Sequence, residues 1–172
     1  MVMDMNENQM IFAIDPGDVA SAYAIIEMPD FKLYDRGKVN NYELLELLEK
    51  YKWVMPDVFA IEMIASYGLP VGKNVFETCV WIGRFIQAIS PKKHTYVYRK
   101  EEKLCICGSL KAKDSNIRQA LIDRYAKHDF KNGKGTKKNP DTFYGVSKDV
   151  WQAIAVGVTC YEKEQGDEDG AK

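Results

Sequence analysis

The apolar positions of this chain fall into short unbroken runs, amphipathic stripes and one long polar interval. Met10, Ile11, Phe12, Ala13 and Ile14 form an apolar run of strand length, and Asp15 ends it. Pro16-Gly17 forces a turn, and Ala20 to Ile26 is a second apolar run, near enough to return as a hairpin. Lys32 to Val39 alternates weakly, with Arg36-Gly37 placed for a bend or bulge. Leu44, Leu45, Leu47, Leu48 and Tyr51 make a helical stripe, capped by Asn40 or Asn41. Val58, Phe59, Ala60 and Ile61 then repeat the opening device, a buried strand that ends on a carboxylate, Glu62. A helix between two such strands makes them parallel neighbours by a right-handed crossover. Asp15 and Glu62 are thereby expected side by side at one sheet edge.

The second half is less regular. Met63 to Gly72 reads as a mobile loop beside that edge, suited to contacting a substrate. Val75, Cys79, Ile82, Phe85, Ile86 and Ile89 predict a helix over 74–89, with Trp81 either packed in the core or marking a subunit interface. Thr95 to Tyr98 reads as a strand, and Cys105 to Gly108 as a short strand and turn. Ile117, Ala120 and Leu121 predict a helix from Ser115 to Tyr125, capped by Asp114 or Ser115. His128 to Gly145, with Lys131, Lys134, Lys137, Lys138 and Pro140, is expected to be flexible and ordered by a partner. Ser147 caps a last helix striped by Val150, Trp151, Ile154, Ala155 and Val158. The expected organisation is a flexible leader over 1–9, one domain over 10–161 and a disordered acidic tail over 162–172.

Composition narrows the chemistry. A chain of 172 residues with 46% hydrophobic content suits a single core. A net charge of -1 argues against a uniformly basic binder, although lysines concentrate between Arg99 and Lys148. The four cysteines have no CxxC spacing and only two histidines to assist them, which argues against zinc and for a reducing compartment. No membrane-length apolar run or signal peptide is evident, so a soluble, cytoplasmic protein without a membrane partner is expected. Two adjacent carboxylates are tolerable only when a proton or cation is shared, and oxygen ligands suit Mg²⁺ or Mn²⁺. Plain structural roles compete with this reading: Asp15 as a turn aspartate, Glu62 as the partner of a lysine, Asp149 as an anion in the first turn of its helix.

Ile14-Asp15-Pro16-Gly17, Ala60-Ile61-Glu62, Ile82-Gly83-Arg84 and the segment Asp149 to Ala155 come in an order and spacing that carry more than any one of them. From Ile11 to about Val158 the chain resembles the RuvC-type Holliday junction resolvases of the RNase H-like superfamily. Ser21-Ala22-Tyr23 and Lys113-Asp114-Ser115-Asn116 are similar to phage-encoded members. The resemblance implies an α/β, RNase H-like fold: a five-stranded mixed sheet, its first three strands antiparallel, flanked by helices. It further implies a Mg²⁺-dependent endodeoxyribonuclease for branched DNA, most of all four-way junctions, acting as a homodimer in the cytoplasm of a bacterial host. Asp15, Glu62 and Asp149 would be the catalytic and metal-binding residues of a two-metal site. Gln152 stands where the family pattern has a second Asp, and is assigned as an auxiliary near the metal. Lys111, Lys113, Arg99, Lys100, Tyr67 and Lys73 would contact DNA. One rival is a module of the same fold that binds branched DNA with little or no cleavage. Another, an actin-like ATPase, needs two copies of the fold in a longer chain.

Overall fold

Five strands form one mixed sheet in the computed structural model, which describes residues 7–170. β1 (Gln9–Asp15), β2 (Ala20–Met28) and β3 (Lys32–Asn40) are antiparallel, while β4 (Val58–Met63) runs parallel to β1 and β5 (His94–Tyr98) parallel to β4. The order across the sheet is β3-β2-β1-β4-β5. Around it lie α1 (Asn41–Tyr51), α2 (Lys73–Ile89), α3 (Arg99–Cys107), α4 (Asp114–Tyr125) and α5 (Lys148–Gly170). This is the sheet and helix arrangement expected from the sequence.

Residues Ile11 to Ile14 are fully buried because β1 is covered on both faces, which is why they read as an unbroken apolar run. The two faces differ in side-chain size. Phe12, Ile14, Ile25, Phe59 and Ile61 point toward α1 and α2, where Leu44, Leu48, Ile82, Phe85 and Ile89 meet them. The opposite face carries Ala13, Ala22, Ala24 and Ala60 among larger residues, and α5 lies against it. A helix comes close there only if it is small as well. A Cβ on Gly157 would stand 2.7 Å from Ile26 Cδ1 and 3.2 Å from Ala13 Cβ.

Four expectations need correction. The bulge in the β2–β3 pair falls where Ile25 faces Asp35 and Ile26 faces Leu33, so Tyr34 is the extra residue, not Arg36-Gly37. Cys105 to Gly108 is not a strand and turn: Cys107 ends α3, and Gly108, at φ 68°, closes it in the left-handed conformation. The helix begins with the Tyr98 amide donating to Glu101 Oε2 at 2.8 Å. The segment between α4 and α5 is folded rather than flexible. Phe143 is fully buried there, its ring 4.5 Å from that of Trp151 and 5.4 Å from that of Phe31.

The acidic stretch from Glu162 continues α5 to Gly170 instead of forming a disordered tail. Glu162 pairs with Arg124, Glu164 with Lys93, and Lys163 with Glu101, so alternating charges tie this part of the helix to its neighbours. Of the expected leader, residues 1–6 lie outside the described residues, and Gln9 already belongs to β1. Residues 171 and 172 of the expected tail also lie outside them.

Candidate active site

Strand register sets the first two groups. Ile14 pairs with Ile61 across the parallel β1–β4 ladder, so the next residues, Asp15 and Glu62, are neighbours at the same sheet edge. The turn after Asp15 is fixed from below. Gly17 donates its amide to Ser21 Oγ at 3.1 Å, and Ser21 donates to Asn41 Oδ1 at 2.6 Å. Asn41 in turn donates from Nδ2 to the Gly17 carbonyl at 2.9 Å. Ser21 and Asn41 are buried, and a Cβ on Gly17 would fall 2.3 Å from the Ala20 carbonyl oxygen. Asn40, not Asn41, caps α1, its Oδ1 accepting from the Tyr42 amide.

The carboxyl groups of Asp15 and Glu62 are hydrogen-bonded to each other. Burial first, then the charge of Glu62 and the shared hydrogen bond, push Asp15 up to about 8, with a smaller push from Asp149. Burial also raises Glu62. Two carboxyls in contact favour a proton or a cation held between them.

A third acid stands behind this pair. Glu102, on α3, is fully buried, and burial followed by the charge of Glu62 pushes it up to about 8 against the pull of Arg99. Its Oε2 accepts from Arg99 Nη1, and its Oε1 is buried with no partner. The same guanidinium donates to Gln152 Oε1 and to Asp114 Oδ1. Asp149, in the first turn of α5, accepts from Lys38 Nζ at 3.0 Å. Glu62, Arg99, Asp114, Lys148, Asp149 and Gln152 line one cleft of ≈ 240 Å³.

The donor chemistry fits a hard divalent cation. Asp15 and Glu62 offer only oxygens, carry one negative charge too many for their surroundings, and await a positive partner. Asp149 borders the same cleft but is held by Lys38. Among the described residues no three acidic, histidine or cysteine side chains already converge as a metal cage.

Glu102, Lys38 and the anchoring of Arg99 are features the sequence reading missed. The i,i+3 spacing of Arg99 and Glu102 was an available signal for their ion pair. Lys38 gave none, being 111 residues from its partner. Of the expected DNA contacts, Arg99 is drawn into the acid cluster. Lys100 lies over the Tyr67 ring at 5.6 Å, and both line a groove of ≈ 310 Å³ with Arg99, Lys103 and Leu110. Lys111 and Lys113 are exposed on the connection into α4. Lys73 pairs with Glu77 at 3.4 Å and lines neither of these clefts.

Solved structures with the same architecture decide the fold family. Thermus thermophilus RuvC superposes with a TM-score of 0.65 at 14% identity, covering 91% of this chain and 96% of that one. The fold is that of RuvC. T. thermophilus RuvC in complex with a Holliday junction substrate gives the same TM-score of 0.65 at 13% identity, over 92% of this chain and 96% of the RuvC chain. Fowlpox virus resolvase, in complex with substrate Holliday junction DNA, reaches 0.50 at 19% identity, over 90% of this chain and 97% of the resolvase. No family model matches the sequence, and no curated protein matches it. The RuvC-like architecture is thus visible in three dimensions where sequence identity is low. Among the described residues, no helix is long and apolar enough to cross a membrane.

Proposed function

We propose that this chain is a divalent-metal-dependent endodeoxyribonuclease that cuts branched DNA, with four-way junctions as the preferred substrate. The observation that carries the reading is the Asp15–Glu62 pair, two half-buried carboxyls brought together at adjacent parallel strand ends. Its place in a RuvC-like fold supports the choice of substrate.

Asp15 and Glu62 would hold Mg²⁺, or Mn²⁺ in its place, with Asp149 as the third ligand. The metal would supply Lewis-acid charge for attack by water on phosphorus. The chain's own groups do the rest. The Ser21–Asn41 lock fixes the turn at Gly17, two residues after Asp15, and so holds the backbone that presents the carboxylate. Glu102, Asp114 and Gln152 hold the Arg99 guanidinium beside Glu62, a fixed positive charge for a phosphate oxygen at the cleft. Lys38 keeps Asp149 neutralised and can exchange that partner for DNA phosphate. A homodimer suits paired cuts across a junction. Exposed Phe76 and Val80 on α2, beside a Trp81–Tyr42 contact covered by Arg84, are the surface that supports it.

One observation favours a second reading, a branched-DNA-binding module with weak cleavage. Gln152 is neutral and committed to Arg99, and Asp149 to Lys38, so neither adds a free carboxylate to the Asp15–Glu62 pair. The test is single-turnover cleavage of a labelled four-way junction and of plain duplex, with Mg²⁺ and with EDTA. Metal-dependent cutting of the junction in preference to duplex is the expected result. Binding without cutting at any Mg²⁺ or Mn²⁺ concentration would establish the second reading.

A further inference from the structure

The acid cleft does not end at Gln152. Asp114, Lys148 and Gln152 also line a second cleft, of ≈ 410 Å³, that continues along α4. Arg118, Lys134 and Trp151 are shared between that cleft and a third, of ≈ 350 Å³, which reaches Lys131 on the segment joining α4 to α5. The three adjoin as one trough leading away from the carboxylates.

Its charges are unequal. Arg118, Lys131, Lys134 and Lys148 are exposed, and among the described residues none of them is in an ion pair. The acids along the trough are already engaged. Asp114 is paired with Arg99 and Asp149 with Lys38. Asp129 accepts from the amides of Asn132, Lys134 and Gly135. Arg118, Lys131, Lys134 and Lys148 therefore outnumber the one carboxylate of these two clefts outside an ion pair, Asp129, whose oxygens are taken up by backbone amides.

The lysines are also held in place. The Asp141 carboxylate accepts from the amides of Lys127, His128, Asp129 and Thr142 at 2.6–2.9 Å. Gly133, at φ 71°, sits so near Phe143 that a Cβ would come within 2.8 Å of its ring. A loop locked at both points presents Lys131 and Lys134 without first having to order, which saves the entropy a flexible arm loses on binding.

We propose that this trough is a nucleic-acid-binding track that takes the sugar-phosphate backbone of the DNA arm running away from the cut. The assignment rests on the branched-DNA reading above and extends it to Arg118, Lys131, Lys134 and Lys148. Each lysine that meets a phosphate releases counterions, so the track has a measurable salt signature.

The experiment is fluorescence anisotropy of a labelled four-way junction with the full chain in EDTA, titrated over KCl. Lys131→Ala/Lys134→Ala is compared with Lys137→Ala/Lys138→Ala, two exposed lysines of the same loop that do not line the trough. Among the described residues no side-chain hydrogen bond or ion pair of Lys131 or Lys134 holds the loop together, so both doubles are expected to fold, as checked by thermal melting. The trough double should lose about tenfold in affinity near 0.1 M salt, and its log-log salt slope should shrink by about 2. The control double should match wild type. Equal effects from the two doubles, or an unchanged slope in the first, would overturn the track while leaving the nuclease reading intact. A wild type that binds through these lysines yet cuts nothing with metal would overturn the nuclease reading alone. A wild type that binds no junction would overturn both.

Discussion

Carboxylates gather in two places in this molecule, and their surroundings are opposite. Asp15, Glu62 and Glu102 lie in the sheet edge and α3 with too few donors, and burial raises all three. The Asp141 side chain is fully enclosed, and burial works to raise it too, yet four backbone amides overcome that and hold it far below the usual range. Asp129 is lowered by the amides of Asn132 and Gly135 ahead of any cost of burial. Burial alone does not decide what a carboxyl becomes. The donors around it do: amides turn one pair into a structural clasp, and their absence leaves the other ready for a cation.

The largest test of this contrast is Asp15→Asn. It should lower junction cleavage by more than about a thousandfold, since it removes a group that acts as a unit with Glu62. It should not lower stability in metal-free buffer, because a neutral amide beside Glu62 carries no like charge. The pH dependence follows from the raised Asp15. The folded state keeps its proton up to about 8, whereas the unfolded chain releases it near the ordinary aspartate value of 3.8. Its contribution to stability is therefore complete below that lower value and is lost as pH rises through about 8. Metal-free wild type should melt at a higher temperature at pH 6 than at pH 8, with a shallower slope in Asp15→Asn. Equal slopes would mean that the pair does not share a proton.

Asp141→Ala should do the reverse. It orphans four amides at once and should cost about 3 kcal/mol, since each unsatisfied buried donor costs about 1–3 kcal/mol and water replaces some of the bonds. Cleavage per folded molecule should stay close to wild type. The stability lent by Asp141 is complete above its ordinary carboxyl value and is lost as pH falls from there through its depressed folded value, so strong acid should narrow the difference between the two proteins. A variant as stable as wild type at neutral pH would break the comparison.

The smallest expected effect is at Gln152. Removing its amide frees one bond of the Arg99 guanidinium but leaves Glu102 and Asp114 in place. Gln152→Ala should cost about tenfold in cleavage, the low end for a group acting through a neighbour of the metal site. Asp149→Asn should cost about a hundredfold, since the proposed reading makes it a direct ligand. A reversal of that order in single-turnover cleavage would show that Arg99, not Asp149, dominates this side of the cleft.

The sheet and the first two acids were legible because doubly covered strands write themselves as apolar runs, and Asp15 and Glu62 stand at their ends. α3 was not, because the residues it turns inward include a glutamate, Glu102, beside Ile106, and that breaks any apolar stripe. The segment after α4 misled for a related reason. Its fold depends on aspartate oxygens meeting backbone amides, and composition records only that the residues are polar. The bonds from Lys38 and from Arg99 join residues far apart in the chain, where local pattern carries no information.

The close seating of α5 has a consequence for synthesis. The face it covers is made by Ile11, Ala13, Ala24, Ile26, Val58 and Ala60, all translated long before Gly157 can dock on them. Until the helix leaves the ribosome, half the sheet has no cover, and the chain depends on other surfaces or on chaperones to stay out of aggregates. Asp149 lies in the first turn of that same helix. The event that closes the core is thus also the one that brings Asp149 to the cleft beside Glu62, so a partly made chain lacks the assembled cluster.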